Sequence, residues 1–530
     1  MPAASAGTTA STAPTTDAMP TPHEKPWRSL VVIAFGIMMV ALDGTIVAVA
    51  NPAIGASLGA TLAELQWVTH GYLLGLAVCL ITAGKLADRL GHRKLYLVGV
   101  AGFTLSSVAI GLSSGTGMLI GFRVVQGVFG AALMPASLGM LRAAFPGHLL
   151  NRALGVFSGL IGTSAAAGPI VGGLLVSTLG WQAAFFVNLP VGVVAVALAV
   201  RFLPANRPTD QSSSFDLLGV ALLTISTFGV VLALVLAPEH GWTSSATLVP
   251  GLVGLAFGVA FVLWQLRAPE PLMPMSLFRS VPVSVGTVVM LVMALAMFGS
   301  MFFLTFYVQG VHGLSALETG LQLLPLTALL AVGPPLASRL FDRFGLRWPI
   351  LGGLVSSAIA MFGMSTLGVD GGTGLLPLWL TLLGAGLGVV MVGATDAVIG
   401  NAPVSLAGVA SGMQQTLLQL GGSLGTAILG AVVSGQVGGN LAAQLTAAGA
   451  PAPTATQVAE WQTVVAQGGA VIPEGTAPAL AEAIKHASNV TFVDGMSLAF
   501  TVAGVALTLG AAISALLKRG EHTGEAVVHV

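Results

Sequence analysis

Three ionisable residues stand in surroundings that do not suit them. Asp43 lies in the apolar run VVIAFGIMMVALDGTIVAVA (31–50), Arg123 in LIGFRVVQGVFGAA (119–132), and His70 in the apolar run that follows the first. An acid or base inside a stretch long enough to cross a bilayer is a functional candidate and needs a partner. If each run is a helix rising about 1.5 Å per residue, Asp43 lies about 6 Å outward of the middle of its run, His70 about 8 Å and Arg123 about 9 Å. The three groups then share one layer, and Asp43 and Arg123 are predicted to pair directly or through a water. Burial and a nearby cation act in opposite directions on the proton affinity of a carboxylate. Such a balance suits an acid that exchanges protons. Three tasks stay open for Asp43: moving protons, binding a cationic substrate, or only holding Arg123. His70 either joins the relay, faces substrate, or is a hydrogen-bonded interior histidine.

The elements that position these groups follow from composition. The 530 residues are 55% hydrophobic and 7% charged, against about 25% charged in a soluble protein. Apolar runs of about 20 residues recur along the chain, each long enough to cross a bilayer core. The 70 glycines suit close helix approach in lipid. The expected fold class is therefore an all-α polytopic membrane protein, with the lipid bilayer as its main partner. A zero net charge implies no nucleic-acid partner. The single cysteine, Cys79, excludes an internal disulfide framework. No metal-ligand constellation, nucleophile triad or P-loop is present, so no enzyme activity, metal, cofactor or direct ATP drive is expected.

Fourteen spans are predicted, the sixth of them over 183–203. Basic residues orient them, because they collect on the cytoplasmic side. Seventeen of the 19 Lys and Arg residues fall on one side in this scheme, which places both termini in the cytoplasm. Arg123 and Lys485 are the exceptions. Residues 1–27 read as a disordered cytoplasmic tail and 518–530 as a second tail. Residues 436–493 read as an extracytoplasmic loop with short helical patches, either a cap on the outer face or an insertion with no role in transport. Arginine outnumbers lysine in a chain rich in Ala and Gly, a bias that a GC-rich bacterial genome produces, so the expected location is a bacterial inner membrane.

An internal repeat then organises the spans. GKLADRLGHRK starts at Gly84 and SRLFDRFGLR at Ser338. Aligning Asp88 with Asp342 also aligns Arg89 with Arg343, Gly91 with Gly345 and Arg93 with Arg347. The chain reads as two homologous six-helix bundles, 28–203 and 281–517, with two inserted helices and their linkers in 204–280. Two halves related about the membrane normal suit alternating access to a site between them.

The repeated loop resembles the signature between helices 2 and 3 of the major facilitator superfamily, and the span count resembles its fourteen-helix drug:proton antiporter family. That resemblance implies a cytoplasmic latch at Gly84, Asp88, Arg89, Gly91, Arg93, Asp342 and Arg343. Arg123 and Gln126 resemble the family's span 4 motif. SAAAGPIVGG (164–173) resembles the span 5 motif that marks exporters, with Ser164 where glycine is usual. Gly168, Pro169, Gly172 and Gly173 are its expected hinge. LDGTIVAVANP (42–52) resembles the span 1 signature, but Ala48 stands where Asn is common and Asn51 where an apolar residue is. SGMQQTLLQLGGSLGTA (411–427) resembles the span 13 segment. Gln414, Gln415 and Gln419, with Gln126 and Phe306, are the expected cavity residues. The resemblance implies a monomeric, proton-coupled exporter of small amphipathic drugs or antibiotics. A proton symporter for a small metabolite is the alternative.

Overall fold

The computed structural model describes residues 26–145, 147–203, 216–273, 275–402, 407–473 and 475–517. Among them it forms sixteen α-helices and no strand: α1 (Pro26–Leu58), α2 (Leu62–Leu90), α3 (His92–Gly111), α4 (Thr116–Ala144), α5 (Gly147–Leu179), α6 (Ala183–Phe186), α7 (Asn188–Phe202), α8 (Leu217–His240), α9 (Ser245–Gln265), α10 (Val281–Phe306), α11 (Ala316–Phe344), α12 (Arg347–Met364), α13 (Leu376–Thr395), α14 (Ala407–Ala447), α15 (Ala455–Val465) and α16 (Pro478–Ser514). Eleven candidate membrane spans, long and apolar enough to cross a bilayer, lie among the described residues. The predicted tails, except Pro26 and Trp27 of the first, lie outside the described residues.

Helices α1 to α7 pack on one another, chiefly α2 on α4, α3 on α4 and α1 on α5. Helices α10 to α14 and α16 form the second group, chiefly α10 on α14, α11 on α13 and α12 on α13. The groups meet along two seams, α5 against α11 and α2 against α14. The pair α8 and α9 leans on α14 and α2.

The repeat is visible in how matching helices start and stop. Helices α2 and α11 are each 29 residues long. Each begins with a reciprocal capping box, in which a hydroxyl and a glutamate satisfy orphan backbone donors. In α2 the Glu64 carboxylate accepts from the Thr61 amide at 2.8 Å and the Thr61 hydroxyl accepts from the Glu64 amide at 3.2 Å. In α11 the Ser315 amide and Glu318 repeat this at 2.7 Å and 3.2 Å. Both helices end on a glycine with positive φ, Gly91 at 91° and Gly345 at 69°, a conformation other residues adopt only with strain.

Helix α5 shows how the chain carries a proline inside a membrane helix. Pro169 has no N–H, so the carbonyl of Ala165, four residues earlier, loses its helical donor. The Thr45 hydroxyl of α1 donates to that carbonyl at 3.0 Å. A Cβ on Gly168 would sit 1.9 Å from the Thr45 hydroxyl oxygen, and one on Gly172 would meet Ile46 at 2.5 Å. Gly173 faces the other half: a Cβ there would sit 2.4 Å from the Ala316 carbonyl. The expected hinge residues thus join α5 to α1 and to the start of α11.

Two sequence expectations need correction. Residues 436–493 are not a loop with patches. Helix α14 runs on to Ala447 and α16 begins at Pro478. Their apolar stretches end earlier than the helices do, because small and polar residues continue a helix without continuing its hydropathy. Helix α15 packs back on α14, where Gln462 donates to the Ser434 carbonyl at 2.9 Å. The predicted span 183–203 is also divided, into α6 and α7, at Val187. Pro190 lies in the first turn of α7, where its missing N–H leaves no helical bond broken.

The inserted pair is anchored by Asp216, the N-cap of α8. Its carboxylate accepts from the Gly219 amide at 2.7 Å, Trp264 Nε1 at 2.6 Å, Gln265 Nε2 at 2.7 Å and the Leu272 amide at 3.3 Å. Burial works to raise its pKa, but these four donors outweigh it and hold the carboxyl below the usual carboxylate range.

Candidate functional site

Asp43 and Arg123 meet in the first bundle. Arg123 Nη1 lies 2.6 Å from Asp43 Oδ2, and the two residues are 1% and 0% exposed. Charges removed this far from water need complete partners. Arg123 Nη1 also donates to Gln126 Oε1 at 2.5 Å, and Nε donates to the Val68 carbonyl at 3.1 Å. Its guanidinium lies 4.2 Å from the centroid of the Tyr72 ring, a cation–π contact. The second carboxylate oxygen, Asp43 Oδ1, accepts from Gln126 Nε2 at 3.1 Å and from Asn188 Nδ2 at 3.3 Å. Asn188 Nδ2 also donates to Ser107 Oγ at 2.9 Å, and that hydroxyl donates to the Phe185 carbonyl at 2.9 Å. The network thus draws on α1, α2, α3, α4, α6 and α7.

Asn188 and Ser107 are absent from the sequence expectations. A signal was available for Asn188: a buried amide in an apolar span, two residues before a proline. Ser107 had none, since serine is common in membrane helices.

His70 is not brought to this pair. It is fully buried, and its Nδ1 lies 3.0 Å from Ser423 Oγ and 3.3 Å from Thr426 Oγ1. Both hydroxyls belong to α14, so His70 bridges the two halves. Trp67 packs edge-on to the ring at 5.6 Å. The same seam holds Gln66 Nε2 donating to the Thr426 carbonyl at 3.0 Å and the Thr416 hydroxyl donating to the Ala77 carbonyl at 3.2 Å. Gln309 Nε2 donates to the Val49 carbonyl at 3.2 Å, and Gln467 Nε2 to the Ala60 carbonyl at 3.0 Å.

A cavity of about 20 Å³ opens between the halves. Arg123, Tyr72 and Asn51 line it from the first half, and Phe298, Met301, Phe302 and Thr426 from the second. Arg123 therefore has two faces, one on Asp43 and one on the interdomain space. A second cavity, about 380 Å³, lies under α15 and is lined by Gln66, Val235, Gly430, Glu460 and Gln462 among others.

The expected cavity residues are distributed differently. Gln126 belongs to the Asp43 network. Phe306 is buried against Phe302 at 5.3 Å and does not line the central cavity; Phe302, one turn earlier, does. Gln414 donates to the Thr395 hydroxyl at 3.2 Å. Gln415 and Gln419 are half-buried and line neither cavity. Gln419 precedes Thr426 by seven residues, about 10 Å along α14. Of the expected latch, the side chains of Asp88 and Asp342 lie outside the described residues. Gly84 sits opposite Pro135, whose Cβ would be 3.9 Å from a Cβ there. Arg93 donates to the Val200 carbonyl at 2.8 Å. Arg89 and Arg343 are exposed, and Arg343 lies 5.3 Å from the Phe344 ring centroid.

The family model described as "Major Facilitator Superfamily" matches residues 33–223 and 217–426. The chain belongs to the major facilitator superfamily. It is a membrane transporter, in a family whose members move small molecules rather than transform them. Among curated relatives, the tetracenomycin C resistance and export protein of Streptomyces glaucescens is 47% identical over 94% of this chain and 92% of its own. The multidrug resistance protein Stp of Mycobacterium tuberculosis is 34% identical over 77% of this chain and 75% of its own. Among solved structures, an inward-facing, occupied bacterial homologue of the human lysosomal transporter Spinster superposes with a TM-score of 0.61. It covers 93% of this chain and 97% of its own at 18% identity, and so speaks for the fold alone.

Proposed function

We infer that this member of the superfamily exports amphipathic drugs or antibiotics across a bacterial inner membrane in exchange for protons. The reading takes fourteen spans, cytoplasmic termini, a monomer and alternating access. The observation that carries it is the double role of Arg123, which holds Asp43 on one face and lines the space between the halves on the other. The names of the relatives, resistance and export proteins for antibiotics, support the direction of transport.

The exchange runs through Asp43 and Arg123. All three protein donors around Asp43 point at an ionised carboxylate. A proton that arrives on Asp43 displaces one of them, and Arg123 loses part of its counter-charge. Arg123 then turns its freed positive charge toward the central space, which disfavours the apolar body of a bound amphipath. Protonation thus weakens substrate binding, and by reciprocity a bound substrate opposes protonation, the sign that exchange requires. The seam bonds from Gln66, Gln309 and Thr416 to carbonyls of the opposite half are the ones that break when the halves rock. Each is a single neutral hydrogen bond, contributing about 1 kcal/mol, so these bonds add little to the cost of opening the seam.

The test uses inverted membrane vesicles containing the full chain and tetracenomycin C as probe. Gradient-driven uptake that a protonophore abolishes is expected. Asp43→Asn at matched expression should lose gradient-driven uptake and keep downhill exchange. Undiminished gradient-driven uptake by Asp43→Asn overturns the coupling role, and accumulation in whole cells in place of uptake by vesicles favours the symporter.

A further inference from the structure

Asn51 is a buried polar group that the coupling mechanism leaves unused. It lies on α1, two turns beyond Asp43, and is fully buried. Both its amide oxygen and its amide nitrogen lack a hydrogen-bond partner among the described residues. Buried amides in native proteins are nearly always bonded, and an amide with two idle ends is a recognition group in search of a ligand. Asn51 also lines the central cavity. The Tyr72 hydroxyl, from a second residue lining that cavity, is likewise buried without a partner.

The rest of the wall states what kind of ligand fits. Phe298 and Phe302 come from α10, Tyr72 from α2, with Met301 and Leu73 between them. Flat rings and a thioether favour a planar aromatic body. Arg123 is the one charged residue among those lining the cavity, and its guanidinium is already bonded to Asp43. No anion on that wall is left for a cationic ligand. A side-chain amide offers a donor and an acceptor side by side, so its complement is an edge with an acceptor and a donor side by side.

We propose that Asn51 is the specificity-determining residue of the export site, and that it selects uncharged planar aromatic compounds bearing a carboxamide, or a hydroxyl beside a carbonyl. The proposal rests on the export reading and deepens it. At about 20 Å³ the cavity holds no more than about one water, so a ring system enters it only as the halves separate. Asn51 then stands at the α1 side of the opened cleft, and the edge of the ligand completes its two bonds.

Binding is measured on the purified full-length chain in detergent, by fluorescence titration with anthracene-2-carboxamide and 2-acetylanthracene. The two probes match in shape, and the second lacks only the N–H donor. The wild type is expected to bind the carboxamide about ten-fold tighter. Asn51→Leu keeps the branched outline, removes both polar ends, and should bind the two probes within about two-fold of each other, each more weakly than the wild type binds the carboxamide. Thermal unfolding of both proteins, matched within a few degrees, certifies the fold; Asn51→Ala serves if leucine unfolds the chain. Equal binding of the probes by the wild type, an unchanged preference in the variants, or no binding of either probe overturns the proposal. Failure of the export reading shows separately, as absent gradient-driven uptake in vesicles, and leaves the binding preference readable.

Discussion

The two halves share a scaffold and differ in chemistry. Helices α2 and α11 have equal length, the same capping box at one end and the same left-handed glycine at the other. Yet the buried ionisable pair belongs to the first half alone. Among the described residues from 281 to 517 no charged side chain is buried; the buried polar groups there are hydroxyls and the amides Gln414 and Asn489. The buried residues of α10 are mainly Met, Phe, Val, Ala and Gly, with Ser300 and Thr305 as their polar members. Duplication preserved the parts that start, stop and join helices. The first half then kept a hydrogen-bonded ion pair, and the second kept a soft apolar wall. On the proton-coupled reading, the first half supplies the charge chemistry and the second supplies shape.

The largest effect should come from breaking the pair. Arg123→Met leaves a buried carboxylate without its cation, a loss of about 3–5 kcal/mol for a pair of this kind. Thermal unfolding in detergent should fall by several degrees, and gradient-driven uptake should vanish. Adding Asp43→Asn to that variant should recover much of the stability and none of the uptake, because the fold needs neutrality and the coupling needs the acid. Recovered uptake in the double variant would dissolve the distinction between the halves.

A smaller effect is expected at Asn188. Asn188→Leu removes one of three donors to Asp43 and the donor to Ser107, so gradient-driven uptake should drop about ten-fold while unfolding shifts modestly. Uptake at the wild-type level would confine the coupling unit to Asp43, Arg123 and Gln126.

The smallest belongs to the second half. Gln414→Ala removes one neutral hydrogen bond, to Thr395, worth about 0.5–1.5 kcal/mol. Uptake within about two-fold of wild type is expected. A loss as large as that of Asn188→Leu would place polar chemistry in both halves.

The parts of this molecule that were legible in its sequence are those with a period or a layer. Apolar runs located most helices, and counting residues along them placed Asp43 and Arg123 in one layer. Depth, however, carries no azimuth. His70 shares that layer, yet α2 turns it toward Ser423 and Thr426, away from the pair. Asn188 stood out as an amide in an apolar run, but its place beside Asp43 was hidden by the break between α6 and α7, where a helix of four residues leaves no periodic trace. The extensions of α14 and α16 were hidden because Gly, Ala and Gln carry a helix past the membrane with little hydropathy. Thr45 could be read only once α1 and α5 were known to touch, since its task is to serve a carbonyl that Pro169 abandons 120 residues later.

Helix α14 is unbroken over 41 residues, a rod of about 62 Å, twice the thickness of the bilayer core of about 30 Å. Near its middle it carries Ser423 and Thr426, against His70, and toward its far end it holds α15 through Ser434. A rod this long is a lever. A tilt of about 10° around the midpoint carries either tip some 5 Å (roughly, from the half-length), enough to lift α15 away from the α1–α2 turn that Gln467 holds. Labels on α15 and near Ala60 would then register, at the end of the rod, a rotation that starts at its middle.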